Sequence, residues 1–408
     1  MKKGILQKLK EGPVLGDGGY LLELEKRGWV RAGPFTPEVA LTNPEALRQL
    51  HIEFREAGAE VLQALTFYAS RDKLATVGLQ DRLEDLNRAA VRVAKDVAGE
   101  RCLVAGNLSL TWMYDPDSNA AKGRVRATFD EQLEVQVAEG ADFIIGETFS
   151  WLGEALLAVE RAKKTALPVM VTICFENQNS TTEGKSAAEA AKALVDAGAD
   201  IVGMNCLRPP EHMLAHLEEM RKAVPDAFLA AQPVAYRTPA EKPDFTSLPQ
   251  FPFELDPLQL SRKEMARYAQ QARDIGVDYI GACCGSVAAH IREMARVLGK
   301  LPDEQRPWTL NYEKPMSAYE YYDHDPVQAS SPNVIRMSAR PFASFYLVSW
   351  THLDKSCINQ WIREKKIILE SQEGVLTGRV DHLGGVPHPR SPHRAWPGPV
   401  PFSQTSPN

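Results

Sequence analysis

Four stretches of the chain repeat one pattern: EAGAEVLQALTF at 56–67, AEGADFIIGETF at 138–149, DAGADIVGMNC at 196–206 and DIGVDYIGACC at 274–284. In each, a helical segment stops at glycine, a two-residue turn holds an acid, and an apolar run begins. Glycine suits the left-handed cap that ends a helix. The runs have the length of strands buried on both faces of a parallel sheet. A chain that repeats this unit is committed to alternating helices and parallel strands.

Four further apolar runs fall between these: VLGDGG (14–19), CLVAGNLS (102–109), PVMVTICF (168–175) and AFLAAQPVAY (227–236). Amphipathic segments at 44–57, 81–98, 128–139, 153–165, 185–197, 211–223, 261–275 and 286–299 separate the eight. Eight strand-then-helix units in about 300 residues predict a (βα)8 TIM barrel, typically roughly 250 residues long. An open doubly wound sheet is the alternative, but GDGG is a turn and no dinucleotide fingerprint follows the first run. The expected domains are a barrel over 1–317 and an atypical, partly disordered C-terminal tail over 318–408. SCINQWIREKKIILE (356–370) could form a short amphipathic helix, and the final stretch carries seven prolines after Val386.

Composition narrows the setting. A hydrophobic share of 44% permits a large core, and a formal charge of -6 without a basic stripe argues against nucleic acid. No run approaches the roughly 18–20 residues of a membrane span. The start, MKKGILQKLKEG, lacks the apolar centre of a signal peptide. The expectation is a cytoplasmic protein, where cysteines serve as metal ligands or reactive thiols rather than disulfides.

Barrel chemistry sits at the carboxyl ends of the strands. There the runs place Asp17, Phe67 with Tyr68, Glu147, Asn205 with Cys206, Gln232, and Cys283 with Cys284. A bend at Gly285 would let the vicinal cysteines serve one site. With Cys206, three thiolates can converge on one metal, and thiolates favour zinc. Three protein ligands leave a fourth position open. Such a zinc can hold a substrate thiol as thiolate, and the natural reaction is alkyl transfer to it. Cys102 and Cys174 read as buried small hydrophobes, and Cys357 as an incidental thiol.

The motifs GDGG (16–19), KRGWVRAGPFTPE (26–38), TFYAS (66–70), GMNC (203–206), QPVAYRTP (232–239), LPQFPFELDP (248–257) and YIGACCG (279–285) occur in family order. On them the chain resembles the betaine–homocysteine S-methyltransferases, within the wider zinc-dependent homocysteine methyltransferase family. The resemblance implies a zinc (βα)8 barrel in which Cys206, Cys283 and Cys284 bind Zn2+. It implies that Asp17 and Glu147 hold the amino group of homocysteine, and that the backbone around Phe67 and Tyr68 receives its carboxylate. Asp17, Glu147 and Tyr68 are the implied catalytic residues; Gly18 and Asn205 join the substrate site within their motifs.

The implied donor is betaine, whose quaternary ammonium calls for an aromatic cage. The family's cage has a tryptophan and a tyrosine where this chain has Phe35 and Thr148; Tyr68 remains. Betaine binding is therefore expected to be weak. A sulfonium donor, S-methylmethionine or dimethylsulfoniopropionate, is one alternative, and a zinc-binding barrel without catalysis is another. From about residue 318 the chain leaves the family pattern, where relatives continue into an oligomer-building arm. A homo-oligomer, a dimer first, stays open.

Overall fold

A computed structural model describes residues 2–31, 33, 36–301, 369–371 and 374–376. Eight parallel strands form one sheet: β1 Val14–Leu15, β2 Val61–Gln63, β3 Leu103–Ser109, β4 Phe143–Phe149, β5 Val169–Ile173, β6 Ile201–Asn205, β7 Phe228–Gln232 and β8 Tyr279–Ile280. Their order is β1-β8-β7-β6-β5-β4-β3-β2. A backbone bond from Glu60 N to Leu15 O, 2.8 Å, joins the two ends and closes the barrel. The helices that follow are Pro44–Glu56, Leu83–Ala98, Asn119–Ala138, Leu152–Ala162, Ala187–Asp196, Pro210–Ala223, Arg262–Ile275 and Ala288–Val297. The expected (βα)8 barrel is the fold.

The repeated motif has a structural job at each residue. Gly58, Gly140, Gly198 and Gly276 all have positive φ, between 81° and 107°, a region that costs other residues a clash at Cβ. The acids Glu60, Asp142, Asp200 and Asp278 each precede an even-numbered strand. Each accepts a hydrogen bond from the first backbone N–H of the preceding odd strand or its neighbour: Leu15 at 3.0 Å, Val104 at 2.7 Å, Val169 at 2.8 Å and Leu229 at 2.9 Å. The backbone N–H of the same acid returns a bond to that residue's carbonyl at 2.8–2.9 Å. Each carboxylate also pairs with a base: Lys8 and Lys300 with Glu60, Lys2 with Asp142, Lys163 with Asp200, and Arg221 with Asp278. Four two-strand units are thus stapled at their amino ends by charge-assisted bonds, which are stronger than neutral ones.

Beneath the strands the N-terminal helix Ile5–Glu11 sends Ile5 and Leu9 into a cluster with Val61, Leu103, Phe143, Ile145, Met170, Ile201 and Tyr279. The opposite, carboxyl end is left for polar groups and sulfur. A larger apolar layer fills the space between strands and helices, and each fully buried large side chain there contributes roughly 1.5–3 kcal/mol.

Two expectations are corrected. The third helix begins at Asn119 rather than 128, because Ser118 caps it by accepting from Ala121 N; its first turns carry few apolar residues, so periodicity missed them. The first and last runs are strands for only two residues each, since the chain beyond them turns into the site. Elsewhere β9 Leu369–Ser371 pairs antiparallel with β10 Gly374–Leu376. The last two residues of the segment 356–370, which could form a short helix, are therefore strand. The rest of that segment, the 317/318 boundary and Cys357 lie outside the described residues. Among the described residues no helix is long and apolar enough to cross a membrane.

Candidate active site

At the carboxyl end of the barrel Asp17, Gly18, Phe67, Glu147, Thr148, Cys206, Gln232, Cys283 and Cys284 line one cleft. The cysteines meet because the strands stop short of them. The β8 ladder ends at Ile280, after which Cys283 N bonds to Pro233 O and Cys284 O accepts from Ala235 N, both at 2.8 Å. Gly285, at φ +79°, turns the chain as expected. The opposing loop closes on this bend. A Cβ at Gly19 would lie 2.6 Å from the Cys283 carbonyl, so glycine there permits the contact.

The thiol sulfurs of Cys206, Cys283 and Cys284 lie within 4.8 Å of one another. Cys206 Sγ is 3.8 Å from Cys284 Sγ, which is 4.0 Å from Cys283 Sγ. Tetrahedral Zn–S bonds of about 2.3 Å put sulfurs about 3.8 Å apart, so the set fits zinc. The thiols are free. Hydrogen bonds from Cys283 and Cys284 favour the Cys206 thiolate and pull its pKa well down, while theirs rise. Cys102 and Cys174 are buried and stand outside the three-sulfur group, in keeping with their reading as hydrophobes, although the Cys206 charge helps to raise Cys174.

Two carboxylates face the cleft. Asp17 Oδ2 accepts from Gln63 N at 2.7 Å and from the Tyr20 hydroxyl, which also meets His51 Nδ1 at 2.9 Å. Glu147 Oε1 accepts from Gln63 Nε2 at 2.5 Å and Asn107 Nδ2 at 2.7 Å; Oε2 accepts from Asn205 Nδ2 at 2.8 Å. Burial raises Asp17 to about 7 and Glu147 to about 8, with the nearby Cys206 thiolate adding to the second. Asn205 also orients the next turn: its Oδ1 accepts from Thr148 N and Thr172 Oγ1, and its Nδ2 reaches Thr148 Oγ1.

Phe67 lines the cleft. The Tyr68 phenol is raised to about 12 by burial and by the charges of Cys206 and Cys284, and the other side of its ring carries a feature the sequence reading missed. Lys73, wholly buried, holds its Nζ 4.1 Å from the Tyr68 ring centroid, 5.3 Å from Trp112 and 5.7 Å from Phe67. It donates to the Leu110 carbonyl, and burial lowers its pKa to about 7. The lysine follows Tyr68 by five residues in TFYASRDK, and nothing in that spacing announces the contact. Gln63 and Asn107, on strands β2 and β3, were also missed. Phe35 lies outside the described residues.

Three clustered thiols and two buried acids on one barrel face define a metal–thiolate enzyme. The chain belongs to the homocysteine S-methyltransferase family, whose model matches residues 14–298. It is 44% identical over 312 residues to betaine–homocysteine S-methyltransferase 1 of Bos taurus, covering 73% of this chain and 75% of that one. It is 38% identical over 356 residues to S-methylmethionine–homocysteine S-methyltransferase BHMT2 of Pongo abelii, covering 84% and 95%. The metallated homocysteine methyltransferase MmuM from Escherichia coli shares the fold at TM-score 0.58 and 19% identity, over 70% of this chain and 96% of that one. The protein is a homocysteine S-methyltransferase, and its three-cysteine cluster is typical of the zinc site of that family.

Proposed function

We propose that the protein moves a methyl group from betaine to the thiol of homocysteine, giving methionine and dimethylglycine. The observation that supports this reading is a row of adjoining rings that begins in the cleft: Phe67 lines it, Tyr68 lies 4.4 Å from Phe67, and Trp112, 54% exposed, lies 6.0 Å from Tyr68, centroid to centroid. A trimethylammonium group is attracted to the quadrupole of such rings. The relatives named for betaine and for S-methylmethionine both pair an onium donor with homocysteine.

Asp17 and Glu147 would hold the homocysteine ammonium, and Cys206, Cys283 and Cys284 would hold zinc. Bound zinc lowers the pKa of a thiol, so that homocysteine reacts as thiolate. The chain's residues then orient two substrates. As the sulfur–methyl bond forms, the nitrogen–methyl bond breaks and its electron pair returns to nitrogen. Dimethylglycine leaves as a neutral amine, so no general acid is needed, and alignment supplies much of the catalysis.

A sulfonium donor is the second reading, favoured by Thr148. Its side chain supplies no ring, and its hydroxyl is tied to Asn205. A sulfonium carries one substituent fewer and depends less on a complete cage. The test offers homocysteine with betaine, S-methylmethionine or dimethylsulfoniopropionate. Betaine transfer is expected to be detectable but weak, since each missing ring contact is worth on the order of 0.5–2 kcal/mol. Phe35→Trp with Thr148→Tyr should lower the betaine KM about tenfold. Betaine inert beside an active sulfonium would favour the second reading; transfer from none would overturn both.

A further inference from the structure

We propose that Arg208 is a positioning residue for the metal: it holds the strained turn that aims Cys206 at Cys283 and Cys284. Cys206 and Leu207 both have left-handed backbone, at φ 56° and 57°. Arg208 N bonds back to Cys206 O at 2.7 Å, closing a tight three-residue turn. Such turns are rare, and a branched residue in the left-handed region is costly. Strain of this kind persists only where the surroundings over-determine it.

The only side chain that ties this turn to the loop after β5 by hydrogen bonds, among the described residues, is the Arg208 guanidinium. Arg208 is 2% exposed. Its Nε donates to the carbonyls of Phe175 and Glu176, each at 3.0 Å; one terminal nitrogen reaches Glu176 O and Gln178 O at 2.5 and 2.7 Å; the other reaches Asn179 Oδ1 at 2.7 Å. The acceptors are uncharged, so geometry and not ion pairing sets the contact. The fork ties the loop after β6, which carries Cys206, to the loop after β5. Backbone bonds from Val234 N to Arg208 O and from Phe245 N to Leu207 O add the loop after β7. Lysine has one nitrogen and cannot reproduce a planar fork to four acceptors.

Without the fork, the turn can relax toward right-handed backbone and carry Cys206 Sγ away from the other two sulfurs. The inference rests on the zinc assignment of the cluster and is independent of the methyl donor. The experiment measures zinc affinity of the full chain by competition with a chromophoric chelator, well below the thermal midpoint, with circular dichroism to follow folding. Arg208→Lys and Arg208→Met should weaken zinc by about 10–100-fold, the range seen when residues supporting metal ligands are lost. Leu207→Gly added to either should recover most of that loss, because glycine adopts the left-handed turn without a Cβ penalty. Should Arg208→Met not fold, the lysine pair carries the comparison. Unchanged zinc affinity in a folded variant, or no rescue by glycine, overturns the proposal. A wild-type chain that binds no zinc instead overturns the metal assignment.

Discussion

Glu147 meets three amide donors, Gln63 Nε2, Asn107 Nδ2 and Asn205 Nδ2, and once ionised offers them only acceptor oxygens. Glu147→Gln would turn one of those oxygens into a donor facing donors, at a cost of about 1–3 kcal/mol. It would also remove a buried charge from the proposed ammonium site, worth roughly 2–5 kcal/mol. The homocysteine KM should rise roughly 30-fold or more while zinc content and the donor KM stay near wild type; loss of zinc would make Glu147 a structural residue. The pH dependence has a definite sign. Asp17 and Glu147 are raised to about 7 and about 8, above the ordinary carboxylate value near 4. The folded chain therefore binds more protons than the unfolded one between these values. The stability these groups contribute is fully present below about pH 4 and is lost as pH climbs through 7 and 8. Thermal midpoints of the zinc-loaded protein should fall across that window. Homocysteine, whose ammonium pairs with the ionised acids, should flatten the fall, and a slope unchanged by homocysteine would place its amino group elsewhere.

At the scale of the element, the staple between paired strands predicts what one carboxylate does without touching chemistry. Asp142 accepts from Val104 N, donates its own N–H to Val104 O, and pairs with Lys2. Asp142→Ala leaves the Val104 N–H without that partner. It should lower stability by about 1–3 kcal/mol in denaturant unfolding with the homocysteine KM unchanged, because the staple lies at the end of the barrel opposite the cleft. An altered KM would mean that the two ends are coupled. Strand and helix order was legible because glycine cap, acid and apolar run recur; the purpose of the acid was not, since its partner is on another strand some forty residues away. The sulfur and carboxylate residues of the site were legible as polar groups ending apolar runs. Lys73 and Arg208 were not. Each acts on a loop distant from its own in sequence, and a lone base follows no period. The start of the helix Asn119–Ala138 stayed hidden because a serine cap, not an apolar stripe, begins it.

Over the whole molecule, the seam between β1 and β2 has no strand ladder, and two acids bridge it. Glu60 spans the amino end through Leu15. Asp17 spans the carboxyl end, accepting from Gln63 N across the seam. The residue proposed to grip homocysteine is therefore also a clasp of the barrel, and the two roles separate by substitution. Asp17→Asn keeps an amide oxygen that can accept from Gln63 N and the Tyr20 hydroxyl, but removes the charge. It should raise the homocysteine KM while the thermal midpoint, measured without substrate near pH 8, is held or raised, since a buried carboxylate no longer has to ionise there. Asp17→Ala loses both roles: the KM should rise, and the midpoint should fall because the buried Gln63 N is left unpaired, at about 1–3 kcal/mol, while the Tyr20 hydroxyl keeps His51 Nδ1. Equal destabilisation by asparagine and alanine would show that the charge itself closes the barrel. A normal KM in the asparagine variant would leave Glu147 alone as the partner of the substrate ammonium.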